Sequence, residues 1–275
     1  MSVWFVTGAS RGFGLEIARA ALERGDQVVA TAREASAVEK EFPGNPSVLA
    51  VALDVTDEAA AAAAVGAALE RFGRVDVLVN NAGRGLLGAV EESSDAAVRA
   101  VFDANVFGLL SVTRAVLPVL RRQRSGHVVN ISSVGGFTTG PGWGVYGATK
   151  FAVEALSEAL HGELAPLGVH VTVVEPGFFR TDFLDSSSLH RAEGQIADYA
   201  VTVGATRATA DSRNHAQPGD PAKAASAIVS VVASSSPPLR IQLGADSVAR
   251  VEAKLDFVRD ELSRWRELSV STDHD

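Results

Sequence analysis

Val3-Trp4-Phe5-Val6-Thr7-Gly8-Ala9-Ser10-Arg11-Gly12-Phe13-Gly14 passes from an apolar run into a turn that carries three glycines. The run is too short for the apolar region of a secretory signal and has no basic flank. It leads straight into the glycines, so it reads as a strand. Residues 14–24 then place Leu15, Ala18, Ala21 and Leu22 on one helical face. Glycines between a strand and a helix permit a tight turn and let backbone N–H groups approach a pyrophosphate at the helix N-terminus. The spacing is Gly-x3-Gly-x-Gly rather than the usual Gly-x-Gly-x-x-Gly. Many α/β proteins need such a turn for backbone reasons alone. Its place directly after an N-terminal strand is what points to a dinucleotide.

The rest of the chain repeats the alternation. Strands are expected at residues 27–32, 48–53, 75–79, 127–131 and 169–174, with a short last one at 239–243. Helices are expected at 57–72, 95–120, 146–164 and 220–233. Val-rich strands separated by helices imply βαβ units and a parallel sheet. The expected fold class is therefore α/β: one doubly wound Rossmann-type domain over residues 1–275, with a parallel sheet of about seven strands. A closed eight-unit barrel would need more βα units than the chain supplies. Residues 178–217 have few apolar positions and read as a substrate lid or binding segment, with a disordered insertion as the alternative. Residues 246–268 form an amphipathic helix whose stripe of Val248, Val251, Leu255, Val258, Leu262 and Trp265 either caps the domain or packs on a second subunit.

Composition narrows the class. Of the 275 residues none is cysteine, which removes disulfides, thiolate metal sites and cysteine nucleophiles. The net charge of −8 argues against a nucleic-acid or anionic-membrane partner. No run approaches the ~18 apolar residues that span a bilayer. The six histidines show no metal-ligand spacing, so no metal is expected. A cytoplasmic location is the expectation.

Cofactor choice is read at the end of the second strand. NAD sites usually place an acid there for the ribose 2′-hydroxyl. This chain has Thr31-Ala32-Arg33-Glu34. Arg33, with Arg11 from the glycine loop, would attract a 2′-phosphate, so NADP(H) is expected over NAD(H). A solvated Arg33 is the plain alternative, and Glu34 keeps NAD open.

Tyr146 and Lys150 lie one helical turn apart. A phenol beside an ammonium is a proton donor whose anion is stabilised by the neighbouring charge. Ser133, after the strand at 127–131, could bring a hydroxyl to the same place. Taken singly, these residues could be an ordinary helix tyrosine, a solvent lysine and a turn serine.

In combination the motifs resemble the short-chain dehydrogenase/reductase family, in its single-domain branch, from Val3 to about Thr181. They are the glycine loop, Leu53-Asp54-Val55, Asn80-Asn81-Ala82-Gly83, Asn105, Ser133, Tyr146-x-x-x-Lys150, and Pro176-Gly177 with Thr181. The run at 174–183 resembles a subgroup related to 17β-hydroxysteroid and retinol dehydrogenases. The resemblance implies a catalytic set of Asn105, Ser133, Tyr146 and Lys150. Tyr146 would exchange the proton, Lys150 would lower its pKa and hold the nicotinamide ribose, Ser133 would orient the carbonyl, and Asn105 would hold a water leading to Lys150. It implies cofactor contacts from Gly8, Ser10, Arg11, Gly12, Phe13, Gly14 and Arg33, from Asp54 and Val55 at the adenine, and from Asn81, Ala82 and Gly83. Tyr146, Lys150, Pro176, Gly177, Phe179 and Thr181 complete them at the nicotinamide end. A homodimer or homotetramer joined through the helices at 95–120 and 146–164 is a further implication.

Trp143, Phe178 and Phe183 are the expected substrate contacts, with Leu86, Leu87 and residues 137–145 and 178–184 around them. Such a pocket suits a small hydrophobic ketone, aldehyde or alcohol. A non-catalytic NADP-binding regulator on the same fold is the alternative, though it would not need the full tetrad. A sugar-nucleotide epimerase would need a larger C-terminal substrate region.

Overall fold

The computed structural model describes residues 1–274. Its strands are β1 (Val3–Val6), β2 (Gln27–Ala32), β3 (Val48–Ala52), β4 (Val77–Asn80), β5 (Gly85–Leu87), β6 (Gly126–Ile131), β7 (Val169–Pro176), β8 (Leu189–Arg191) and β9 (Arg240–Leu243). Its helices are α1 (Gly12–Glu23), α2 (Ala35–Glu39), α3 (Glu58–Phe72), α4 (Asp95–Phe102), α5 (Gly108–Gln123), α6 (Gly144–Leu164), α7 (Ala205–Arg213), α8 (Pro221–Val232) and α9 (Ala245–Val270). Seven strands form one sheet in the order β3-β2-β1-β4-β6-β7-β9, and every pairing is parallel. The order reverses at β1 and β4, which opens a crevice beyond their carboxyl ends.

Period-two alternation along β1 divides the core into two layers. Trp4 and Val6 pack with Ile17, Ala18 and Ala21 of α1 and Ala225, Ile228 and Val229 of α8. Val3 and Phe5 pack on the other face with α3, α5 and α6. Burying a side chain such as Phe5 contributes about 1.5–3 kcal/mol. Trp4 keeps its polar atom satisfied by donating from Nε1 to Asp26 Oδ2 at 3.1 Å.

Capping sets several helix starts. Asp57 accepts from Ala59 N and Ala60 N ahead of α3, Ser94 from Ala97 N ahead of α4, and Asp220 from Ala222 N ahead of α8. The strand expected at 75–79 lies two residues later at its start, because Val75 belongs to the loop. The helix expected at 95–120 is interrupted by a π turn, Asp103–Phe107, between α4 and α5. By length and composition the stretch Asp95–Gln123 could cross a membrane. Here Val112, Val116 and Leu120 are buried in the core.

Residues 178–217 are neither an irregular loop nor an insertion without structure. They contain a 3-10 turn at Asp182–Leu184, strand β8, a π turn at Ala200–Gly204 and α7. Strand β8 pairs in parallel with β5. Leu184, Leu189 and Ala210 share a small apolar cluster with Leu87, flanked by Trp143 and Phe183. The C-terminal stripe does not cap the domain: Val251 is buried, whereas Leu255, Val258, Leu262 and Trp265 are exposed.

Candidate active site

The crevice beyond β1 and β4 begins with the glycine loop. Gly8 and Gly12 hold φ of 65° and 56°, in the left-handed region. A Cβ on Gly14 would press into the Gly8 carbonyl oxygen and lie 2.5 Å from Asn81 Nδ2. Thr7 Oγ1 accepts from Asn81 N at 2.9 Å and Ala82 N at 3.0 Å, and Asn81 Nδ2 donates to Thr7 O at 2.8 Å. The turn after β4 is thereby clamped to the turn after β1. Ala9 N donates to Thr31 O at 2.8 Å, which ties the loop to β2 as well. Helix α1 starts beside the crevice without a side-chain cap for its first N–H groups. A close-packed glycine cradle over an uncapped helix N-terminus fits a pyrophosphate. Ser10 is half-buried in this loop.

The two arginines expected to share one phosphate differ in their contacts. Arg11 donates to Ser187 Oγ at 2.7 Å and Ser188 Oγ at 2.8 Å, across to the segment before β8. Arg33 is exposed beyond β2, where its charge helps hold Asp54 below the usual carboxylate range. The larger causes of that shift are the Thr56 N–H and hydroxyl. The Ser187 and Ser188 hydroxyls lie 176 and 177 residues from Arg11 along the chain, beyond the reach of a local reading. Val55 packs against Gly108 at the start of α5.

Ser133, Tyr146 and Lys150 line one pocket with Phe13, Asn81, Gly83, Trp143, Pro176, Gly177, Phe178, Phe179, Thr181 and Phe183. Ser133 caps the short turn Val134–Gly136, its Oγ accepting from Gly135 N at 3.0 Å. Tyr146 and Lys150 project from the first turns of α6 and are both buried. Burial pushes the Tyr146 phenol up, and the Ser133 hydroxyl pulls it partly back. Burial brings the Lys150 ammonium down to about 8, against the opposing charge of Glu154. Tyr146 sits between the rings of Trp143, at 5.8 Å, and Phe183, at 5.5 Å. The rings of Phe13 and Phe179 meet at a tilt of 57° with centroids 5.1 Å apart, and Thr181 lies over Gly12.

Asn105 is buried in the π turn. Its Oδ1 accepts from Arg84 N at 2.8 Å, and its Nδ2 donates to Arg84 O at 2.9 Å and Thr149 Oγ1 at 3.0 Å. Its amide N–H groups are therefore spent on protein. A point one Cβ out from Gly83 would lie 3.0 Å from Asn105 Oδ1 and 3.8 Å from Lys150 Nζ, so the three meet. A π turn at this position supplies the extra residue that brings Asn105 to face α6.

Leu184 and Gln217, from the expected binding segment at 178–217, also line the pocket, and so do Arg84 and Arg250, which sequence reading missed. Arg250 comes from α9 and donates to Thr138 O at 3.1 Å. Leu86, Leu87 and Phe137 do not line it. The leucines are buried in β5, and Phe137 faces a separate groove between α6 and α9. Behind Lys150, Glu154 and Glu175 meet Arg240 at 3.1 and 3.4 Å. Burial pushes the Glu154 carboxyl up to about 7, with the Ser132 hydroxyl opposing and the Glu175 charge adding. No cluster of three or more His, Asp or Glu side chains is placed to hold a metal among the described residues.

The short chain dehydrogenase family model matches residues 2–192. Oxidoreductase BOA17 of Botryotinia fuckeliana is 39% identical over 273 residues, covering 98% of each chain. A 3-ketodihydrosphingosine reductase of Bacteroides thetaiotaomicron is 39% identical over 240 residues, 87% of this chain and 86% of that one. The crystal structure of a short-chain dehydrogenase from Streptomyces avermitilis matches with a TM-score of 0.91 at 45% identity, over 99% of this chain and 100% of its own. Two further structures carry cofactors. A short-chain dehydrogenase/reductase from Burkholderia phymatum holds NAD (TM-score 0.83, 28% identity, 94% and 95% coverage). An alcohol dehydrogenase from Thermococcus sibiricus holds 5-hydroxy-NADP (0.73, 27%, 88% and 96%). The chain belongs to the short-chain dehydrogenase family and is an oxidoreductase of the kind that works with a nicotinamide cofactor.

Proposed function

We propose that the chain interconverts a hydrophobic ketone or aldehyde and its alcohol, using NADP(H) in preference to NAD(H), on a site built from Ser133, Tyr146, Lys150 and Asn105. The observation that carries this reading is the convergence of Ser133, Tyr146 and Lys150 on one pocket walled by Trp143, Phe178 and Phe183. A regulator that only sensed the cofactor would have no use for a buried lysine behind a buried phenol, each of which costs desolvation energy.

The bound nicotinamide supplies a hydride to the carbonyl carbon, or takes one from the alcohol. Tyr146 gives its hydroxyl proton to the carbonyl oxygen in reduction and accepts one in oxidation. Ser133 donates a hydrogen bond to the same oxygen and fixes the carbonyl plane. Lys150, while protonated, stabilises the tyrosinate electrostatically. Asn105 positions the turn at Gly83 and Arg84 and offers the second lone pair of Oδ1 beside Lys150. Arg33 and the uncapped start of α1 hold phosphate groups. Ser10, Gly12 and Thr181 close the crevice around the pyrophosphate.

Arg250 adds a polar handle to the pocket, since Thr138 O occupies only one of its five N–H donors. It favours carbonyl compounds with an oxygen acceptor remote from the reacting carbon. Cofactor oxidation at 340 nm over a panel of ketones tests the reading. Turnover of aliphatic and aromatic ketones is expected, and turnover of small charged keto acids alone would overturn it.

A further inference from the structure

Beyond Arg250, helix α9 takes no part in the proposed reaction. Its first turns are anchored by Asp246, which accepts from Phe178 N at 2.9 Å, and by Ser247 and Arg250. From Glu252 onward nearly every residue is exposed, for about 19 residues or ~28 Å of helix. A helix standing off its domain gains no packing to offset its ordering cost. Its exposed surface is nevertheless patterned. Val248, Leu255 and Leu262 alternate at spacings of three and four with Val251, Val258 and Trp265, which are the a and d positions of three heptads. Leu255, Val258, Leu262 and Trp265 are 47%, 46%, 56% and 59% exposed.

We propose that α9 pairs antiparallel with α9 of a second copy of this chain. In the register where a faces d, Leu255 of each copy meets Val258 of the other, and Val248 meets Trp265. Val251 is already covered by its own chain, so Leu262 of the second copy lies beside it. There it meets the groove lined by Phe137, Phe151, Ala155, Leu255 and Val258. The flanking charges select this arrangement. Antiparallel pairing sets Glu252 against Arg259 and Lys254 against Glu261, each twice by symmetry, and all four contacts are attractive. Parallel pairing would set Lys254 against Arg259 twice, which is repulsive and cancels the attraction of Glu261 for Arg266, so it gains no net support from charge. Arg259 now pairs with Asp256 of its own helix at 2.8 Å. Both side chains are more than 70% exposed, so that bond is easily exchanged. A membrane surface fits less well, because acids and bases alternate beside the stripe.

The absence of cysteine gives a background-free test on the full-length protein. Leu255→Cys and Val258→Cys proteins are mixed and oxidised. Disulfide-linked dimers joining one of each are expected, with little self-linking of either protein alone. Self-linked dimers only, or no linked product, would overturn the proposal whatever other faces the chain associates through. Light scattering and sedimentation give a second readout. Leu262→Glu, at an exposed position, should halve the assembly mass. Lys254→Glu should raise the dissociation constant about tenfold or more, and Lys254→Glu with Glu261→Lys should restore it. An unchanged mass in Leu262→Glu, an unchanged constant in Lys254→Glu, or binding to lipid vesicles by a monomer would each count against it.

Discussion

Lys150 Nζ donates a 2.8 Å hydrogen bond to the backbone carbonyl of Ile131, the last residue of β6. The ammonium is thus anchored to the sheet, on the far side from solvent, while its charge faces the phenol: Nζ lies 5.9 Å from the Tyr146 ring centroid. Because burial brings Lys150 down to about 8, the free enzyme should lose that charge within an accessible pH range. In carbonyl reduction, kcat/KM for the cofactor should fall as pH rises through about 8, and Lys150→Arg should move this limb upward. Tyr146→Phe should lower kcat by ~10²–10⁴-fold while cofactor affinity changes little. Unchanged turnover in Tyr146→Phe would remove the catalytic assignment.

Gly14→Ala should abolish cofactor binding, since the new methyl would collide with the Gly8 carbonyl and the Asn81 amide that clamps the two turns. A stability loss of about 1–3 kcal/mol is expected from such overpacking. Gly66, inside α3, has nothing within 4 Å of a built Cβ. Gly66→Ala should therefore stabilise by roughly 0.5–1 kcal/mol. Thermal melts with and without NADP compare the pair directly; equal effects would refute the steric argument.

The two arginines should separate in binding assays. Arg33→Ala should weaken NADP by roughly 10–100-fold, the worth of a charge-assisted hydrogen bond of about 1.5–3 kcal/mol, and leave NAD unchanged. Arg11→Ala removes the bonds to Ser187 and Ser188 and should affect both cofactors alike. Isothermal titration with each cofactor distinguishes these outcomes, and a loss specific to NADP in Arg11→Ala would return that residue to the 2′-phosphate.

Glu154 ties the site to pH-dependent stability. Its folded pKa, about 7, lies above the ordinary 4.5, so its contribution is fully present below about 4.5 and is lost as pH rises through about 7. Urea unfolding at pH 5 and pH 8 should show a drop that shrinks in Glu154→Gln, by an amount on the order of 1 kcal/mol. An identical drop in the variant would assign the pH dependence to other groups.

Local periodicity made much of this molecule readable. Tyr146 and Lys150 share a face because a helix repeats every 3.6 residues, and β1 leads into α1 wherever a strand meets a glycine turn. The three-residue strands β5 and β8 carry too little pattern to announce themselves, and they pair across about 100 residues. Glu154, Glu175 and Arg240 come from α6, β7 and β9, and only the neighbouring of those strands brings them together. Arg250 falls outside the apolar stripe of the C-terminal helix, and its place in the pocket depends on where α9 docks. Asn105 was named by resemblance, whereas its bonds to Arg84 and Thr149 follow from the π turn.

The parallel ladder between β5 and β8 has a bearing on how this enzyme can be re-engineered. Strand β5 follows Arg84, whose backbone is gripped by Asn105, and β8 lies between Phe183 and α7. The segment beside the candidate pocket and the turn held by Asn105 are thus one mechanical piece. A graft of residues 178–217 from a relative would arrive without its matching strand. Transplanting 85–87 along with it keeps the joint intact, so the natural unit of specificity exchange is discontinuous in the gene.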